Sequence, residues 1–334
     1  MSTIAITGAS GKLGNATLSA LLSHNLLPAS SIIALTSSSP TSPTWASLAA
    51  QNSSLQIRHA SFEDPASFEQ ALKGVDKLFL VSTPHVELDF EDAQGKAKGD
   101  GEGRERHHKV AIDAAVKVGV KHVYYSSLAF AWDAKAQAPG DSSKAIVMRA
   151  HLRTEAYLKR LAEEGKVRAT YIREGLYNES WPLYVFGYDD AEEVDREIVP
   201  IPGDGRMCWT AIKDLGVASA VVLTKESEVY DGKTFYLSTR PAGAKTIAET
   251  AAVASQAWGR KVKVDVLSRV EYEKYYIIGR GRDKASVRWW LSTYDAIKDG
   301  ECEVDDPTLE KLLASVGVKI TGIEEYIQSA LKKA

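Results

Sequence analysis

Three glycines at three-residue spacing, Gly8, Gly11 and Gly14, separate a short apolar run from a helical pattern near the amino terminus. The run is TIAIT (residues 3–7) and the helical stretch is NATLSALLS (residues 15–23). In a strand-to-helix connection each glycine has a defined use. Gly8 permits the tight turn, Gly11 lets a ligand approach the bare backbone, and Gly14 lets the helix pack against the strand. The unpaired first-turn amides of that helix converge on the same spot and, with the positive end of the helix dipole, favour a pyrophosphate. Such a turn also has a purely steric reading. The ligand reading is favoured because the turn lies at the first junction of an alternating series.

That series fills the first half of the chain. β-rich runs at residues 32–35, 55–57, 77–81, 122–126 and 169–173 alternate with helical patterns such as PASFEQALKG and HHKVAIDAAVKVG. The pattern predicts an α/β fold, a doubly wound parallel sheet with helices on both faces. KLFLVS and HVYYSS are apolar without alternation, as strands covered on both sides should be. Two stretches interrupt the series. TSSSPTSPTW reads as a Ser/Pro loop, and residues 86–106, VELDFEDAQGKAKGDGEGRER, read as a solvated insertion or a substrate lid.

Beyond residue 173 the alternation weakens. GLYNESWPLYVFGY is rich in aromatics, TAIKDLGVASAVVLT is a helix, TFYLS and KVKVDVLS are strands, and a helical tail follows. The expected division is a nucleotide-binding domain over residues 1–174 and a smaller α+β lobe over 175–334, some of whose segments return to the first domain's core.

With 44% hydrophobic residues among 334, the chain can bury a sizeable core. A net charge of -3 gives no reason to expect nucleic acid or an anionic membrane as partner, and no apolar run is long enough to span a bilayer. Cys208 and Cys302 stand alone without a CxxC pair, so neither a disulfide framework nor a bound metal is expected. No leader-like segment is recognisable, and the cytoplasm is the expected location.

The end of the second predicted strand indicates which dinucleotide the turn would hold. Sites that prefer NAD place a carboxylate there for the ribose hydroxyls. This chain has Ala34 and Leu35 followed by Thr36, Ser37, Ser38 and Ser39. Hydroxyls can donate to a 2′-phosphate that a carboxylate would repel, and Lys12 supplies charge, so NADP(H) is favoured over NAD(H). Phe62, after the third strand, is a wall for the adenine or a core aromatic.

TGASGKLG, VSTP, HVYYSSLAF, HLRTEAYL and IREGLYNESW, taken together in this order, make the sequence similar to the NmrA-like family of atypical short-chain dehydrogenases and reductases. The resemblance covers nearly the whole chain. It implies an extended-type Rossmann domain, NADP(H) in the cleft and a small carboxyl-terminal substrate lobe. It also implies that Gly8, Ser10, Gly11, Lys12 and Leu13 face the pyrophosphate and that Ser82, Thr83 and Pro84 line the ribose and nicotinamide. Ser37 and Ser126 are counted with these coenzyme residues, and Leu128, Trp181 and Tyr184 with the substrate.

Ordinary short-chain dehydrogenases pass a proton through a Ser and a Tyr-x-x-x-Lys pair. Ser126 and Ser127 end the fifth predicted strand, but no Tyr-x-x-x-Lys follows. Two readings remain. In one the protein is a reductase that holds a hydride donor against a quinone or another flat carbonyl or enone. His151 is then the first candidate donor or orienting group, with a hydrogen-bonded helix histidine as the plain alternative, and Tyr177 is the second candidate. Glu155 is expected to pair locally, with Arg153, Lys159 or a backbone donor, and Arg173 to pair structurally. In the other reading the protein senses the NADPH/NADP ratio by docking a protein partner. The aromatics Trp181, Tyr184, Phe186 and Tyr188 read as a substrate pocket, a docking patch or the core of the small lobe. An apolar aromatic pocket beside the nicotinamide would suit a flat substrate, and this favours the enzyme and a small-molecule substrate.

Overall fold

The computed structural model describes residues 2–86, 103–187 and 196–332. Its centre is a seven-stranded sheet: β1 (Ile4–Ile6), β2 (Ile32–Thr36), β3 (Gln56–His59), β4 (Lys77–Leu80), β5 (His122–Leu128), β6 (Arg168–Glu174) and β7 (Thr234–Leu237). Every neighbouring pair is parallel, in the order β3-β2-β1-β4-β5-β6-β7. The order reverses between β1 and β4, and a ligand crevice forms at such a switch point.

The absence of alternation in the strands has a direct cause. Ile4, Ile6 and Phe79 enter one buried cluster, while Ala5, Leu78 and Leu80 enter another on the opposite face. Helix α1 (Lys12–Ser23) covers the first face. On the second lie α3 (Pro65–Ala71), α4 (Gly103–Val118) and α5 (Ile146–Glu163). Each apolar side chain in these strands is therefore removed from water whichever way it points.

Two expectations change in detail. The Ser/Pro loop is helical from Pro43, as α2 (Pro43–Ala49), because Ser42 caps it by accepting from the Trp45 amide at 3.2 Å and Pro43 suits the first turn. Residues 103–106 of the expected insertion are the first turn of α4. The rest of it, residues 87–102, lies outside the described residues, as does Tyr188.

The helix read in TAIKDLGVASAVVLT is α7 (Ile212–Thr224), and it packs directly on α1. A methyl group at Gly216 would lie 2.6 Å from the Ala16 carbonyl carbon, so only glycine allows the approach. Strand β7, read in TFYLS, is hydrogen-bonded beside β6 as the seventh strand of the main sheet. The aromatics form a separate cluster over the carboxyl ends of the strands. It contains α6 (Trp181–Phe186), Trp209, Trp289, Trp290 and Tyr294. Among the described residues no helix is long and apolar enough to cross a membrane, and no group of His, Cys, Asp and Glu is arranged to hold a metal.

Candidate active site

Where β1, β4, β5 and β6 end, the molecule opens into a cleft of about 580 Å³, a size typical of small-molecule sites. The glycine turn forms one wall. Gly8 has φ +57°, and its carbonyl accepts from the Gly11 amide at 2.7 Å. A Cβ at Gly14 would sit 2.2 Å from that carbonyl oxygen, and one at Gly11 would sit 3.2 Å from it. No side chain caps α1, whose first-turn amides face the turn. A bare cradle of this shape fits a pyrophosphate. Lys12 and Leu13 line it. Ser10 and Ser37 are exposed and lie outside the lining.

The second wall follows β4. The Thr7 hydroxyl accepts from the Val81 amide at 2.8 Å, tying the ends of β1 and β4 together. Ser82, Thr83 and Pro84 then border the cleft, and Phe62 closes one end, stacked 5.2 Å from the His107 ring. Ser126 and Leu128 contribute from β5, and Tyr177 and Tyr184 from beyond β6. Trp181 is corrected: it does not line the cleft. It is buried in the aromatic cluster, 5.3 Å from Trp258 and 6.0 Å from Phe186 by ring centres.

His151 lines the cleft, but its nitrogens are already engaged. Arginine has only donors, so the 3.0 Å contact from Arg104 makes His151 Nε2 an acceptor and puts the ring proton on Nδ1. Nδ1 in turn donates to the Tyr125 hydroxyl at 2.9 Å. Burial, then the Arg104 charge, holds the imidazole well below its ordinary pKa, so it is neutral. Of the two readings of His151, this arrangement is that of the hydrogen-bonded helix histidine. In this arrangement His151 has no N–H for the cleft, and it orients Arg104, whose Nε also donates to the Thr83 carbonyl at 2.9 Å.

Behind this wall runs a buried polar layer. Tyr125 lies 3.1 Å from His108 Nδ1, and His108 Nε2 lies 3.2 Å from the Ser82 hydroxyl. Glu155 differs from its expected local pairing. It accepts from Ser127 at 2.5 Å and takes a fork from Arg173, at 3.1 and 2.7 Å. Arg173 also donates to the Gly140 carbonyl at 2.7 Å, the structural pairing expected of it. This clamp joins α5 to the ends of β5 and β6.

Beside the clamp, Glu174 ends β6 at 1% exposure. Its Oε2 lies 3.0 Å from the Tyr177 hydroxyl, and its Oε1 has no hydrogen-bond partner among the described residues. Burial pushes the carboxyl up to about 8, against the pull of the Ser126 and Tyr177 hydroxyls. Burial likewise raises the Tyr177 phenol well above its ordinary range, with the Glu174 charge adding to it.

The NmrA-like family model matches residues 1–327. The chain belongs to the NmrA-like family. This NmrA-like protein is 28% identical to the NmrA-like family domain-containing oxidoreductase flvB of Aspergillus flavus over 311 residues, 92% of this chain and 89% of that one. It is 31% identical to Quinone oxidoreductase 2 of Escherichia coli over 270 residues, 80% of this chain and 79% of the relative. The solved complex of Citrobacter sp. triphenylmethane reductase with NADP(H) superposes on it with a TM-score of 0.73 at 26% identity, covering 98% of this chain and 100% of that one.

Two polar groups of the NmrA-like protein's site escaped the sequence reading. Arg104 lies in the charged stretch GEGRER, where nothing separates a site arginine from a solvated one. Glu174 was visible at a strand end, but its burial was not. The signal that could have found it is the REG triplet, an acid beside an arginine whose own partner, Glu155, lies 18 residues back on α5 rather than next door.

Proposed function

We propose that this NmrA-like protein is an NADPH-dependent reductase that passes a hydride to a quinone or another flat carbonyl or enone. One observation carries the reading. The glycine cradle and the partly apolar pocket formed by Leu128, Val147, Leu176 and Tyr184 belong to one continuous cleft. NADPH, when bound, supplies the hydride. The chain's own residues do the rest. The bare amides of the turn take the paired phosphates, and residues 82–84 border the space beside them. Lys12 and residues 37–39 offer a cation and hydroxyl donors to a 2′-phosphate, with no carboxylate at the end of β2 to oppose it.

Arg104 is fixed by His151 and Thr83 at the cleft, where it stabilises negative charge developing on an acceptor oxygen. That charge also bears on the choice of acceptor. A quinone gains electron density on oxygen, whereas a cationic triphenylmethane dye would meet a like charge. The alternative, a sensor that reports coenzyme state to a protein partner, has no use for a guanidinium and a tyrosine hydroxyl lining an acceptor pocket. These groups favour the reductase.

The test is to mix the purified protein with NADPH and, separately, 1,4-benzoquinone, 1,4-naphthoquinone and phenanthrenequinone, following loss of the reduced coenzyme. Turnover that disappears in Gly11→Asp is expected. Tight NADPH binding without turnover of any acceptor would instead support the sensor.

A further inference from the structure

The site lacks the Tyr-x-x-x-Lys pair, yet it contains a tyrosine backed by an acid. Tyr177 lines the cleft, and its hydroxyl is 3.0 Å from Glu174 Oε2. Glu174 is enclosed at the carboxyl end of β6 and has no cationic partner among the described residues. Its neighbour Arg173 is committed to Glu155 on the other side of the strand, because successive residues of a strand point to opposite faces.

We propose that Glu174 and Tyr177 form a two-member proton path into the cleft, with Tyr177 as the group that meets the acceptor and Glu174 as the proton source acting through it. This rests on the reductase reading above. The balance is simple. The acceptor gains a hydride from the coenzyme at one atom and a proton from Tyr177 Oη at its oxygen. The phenolate left on Tyr177 takes the proton of the Glu174 carboxyl across the 3.0 Å contact. Glu174 then remains as carboxylate until solvent reprotonates it after product leaves. NADPH is the only reductant, and no further reagent is required.

Chemistry and placement agree. A lone buried phenol is a poor donor, since its phenolate would form in a desolvated pocket. A neutral carboxyl alongside removes that charge in the same event. The raised pKa of Glu174 means that the acid is still protonated at neutral pH, which is the condition an acid catalyst needs near its working pH.

Three variants test this with the best of the three quinones above: Glu174→Gln, Glu174→Asp and Tyr177→Phe. NADPH binding, read by quenching of tryptophan fluorescence, should match wild type in all three and confirms the fold. In Glu174→Gln, kcat should fall at least about tenfold with KM little changed. Wild-type kcat should decline above about pH 8, the value to which Glu174 is raised, and this alkaline limb should vanish in Glu174→Gln and return in Glu174→Asp. If Glu174→Gln fails to bind coenzyme, Tyr177→Phe carries the same expectation of a lost limb. Independently of turnover, infrared spectra of the coenzyme-free protein at pH 7 should contain a protonated-carboxyl stretch that Glu174→Gln removes. An unchanged kcat and pH profile in a folded Glu174→Gln, or no such stretch, overturns the proton path while leaving the reductase standing. No quinone turnover by wild type overturns both.

Discussion

A methyl group placed on Gly14 would lie 2.2 Å from the carbonyl oxygen of Gly8, so the helix that carries one glycine can approach the turn that carries the other only when the first has no side chain. Gly14→Ala must therefore push α1 away from the turn and disperse the amides that converge there. The expected cost is about 3 kcal/mol, roughly a hundredfold in NADPH dissociation constant. Titration calorimetry measures it, and an unchanged affinity would show that the turn is not the phosphate site.

Arg104 is fixed by His151 Nε2 at 3.0 Å and the Thr83 carbonyl at 2.9 Å. Replacing it by methionine keeps bulk and removes the charge. Loss of one charged hydrogen bond to the acceptor is expected to lower kcat/KM for a quinone by about 1.5–3 kcal/mol, roughly ten- to a hundredfold. A cationic dye should gain relative to the quinone in the same variant. Steady-state kinetics with both acceptors decides it, and equal losses for the two would rule out the electrostatic role.

The Glu155–Arg173 pair is nearly enclosed, with side chains 11% and 4% exposed. Removing one member strands the other charge, and Glu155→Leu or Arg173→Met alone is expected to cost about 3–5 kcal/mol. The double variant should cost less than the sum of the two. Urea denaturation of the four proteins in this cycle measures the coupling, and additive losses would mean that the pair contributes nothing as a pair.

Three histidines make the fold acid-sensitive. Burial, followed in each by a nearby cation, holds His108 and His151 well below the ordinary imidazole value and brings His122 to about 3. At neutral pH they are neutral in both native and unfolded chains. Below about pH 6.5 the unfolded chain takes up protons that the native state refuses, so stability falls on acidification, by up to roughly 1.4 kcal/mol per pH unit for each histidine. For His122 the window extends down to about pH 3. The raised Glu174 carboxyl contributes with the opposite sign below about pH 8, so the readout is a comparison. From pH 7.5 to 5 the urea midpoint should fall less, or rise more, in His122→Asn than in wild type. Identical pH dependence in the two proteins would show that the His122 ring is not buried as described.

Much of the fold could be read before the structure because its signals are local. TIAIT followed by glycines at three-residue spacing can hardly form anything but a strand, a tight turn and a helix. KLFLVS and HVYYSS state by composition that both of their faces are covered. The family resemblance, rather than any local signal, assigned Ser82, Thr83, Pro84, Ser126 and Leu128 to one site, and these residues line one cleft at the ends of β4 and β5.

Trp181 was misread for a physical reason. An aromatic near a cleft and an aromatic in the core have the same composition, and the rings of Trp258 and Phe186, one of them far along the chain, decide between them. For His151 the sequence left two roles open for a related reason. Its spacing on α5 brings it to the cleft, but its protonation is set by Arg104 on α4 and Tyr125 on β5.

Periodicity and glycine placement are properties of neighbouring residues, and they are enough to specify a doubly wound parallel sheet with a phosphate-binding turn at its first junction. Protonation state is not such a property. Whether Glu174 is an acid or an ordinary carboxylate, and whether His151 can give up a proton, depends on how much water and which charges surround each group once distant strands and helices have closed over it. The cost of placing a charge in that interior has no counterpart in the order of the residues along the chain.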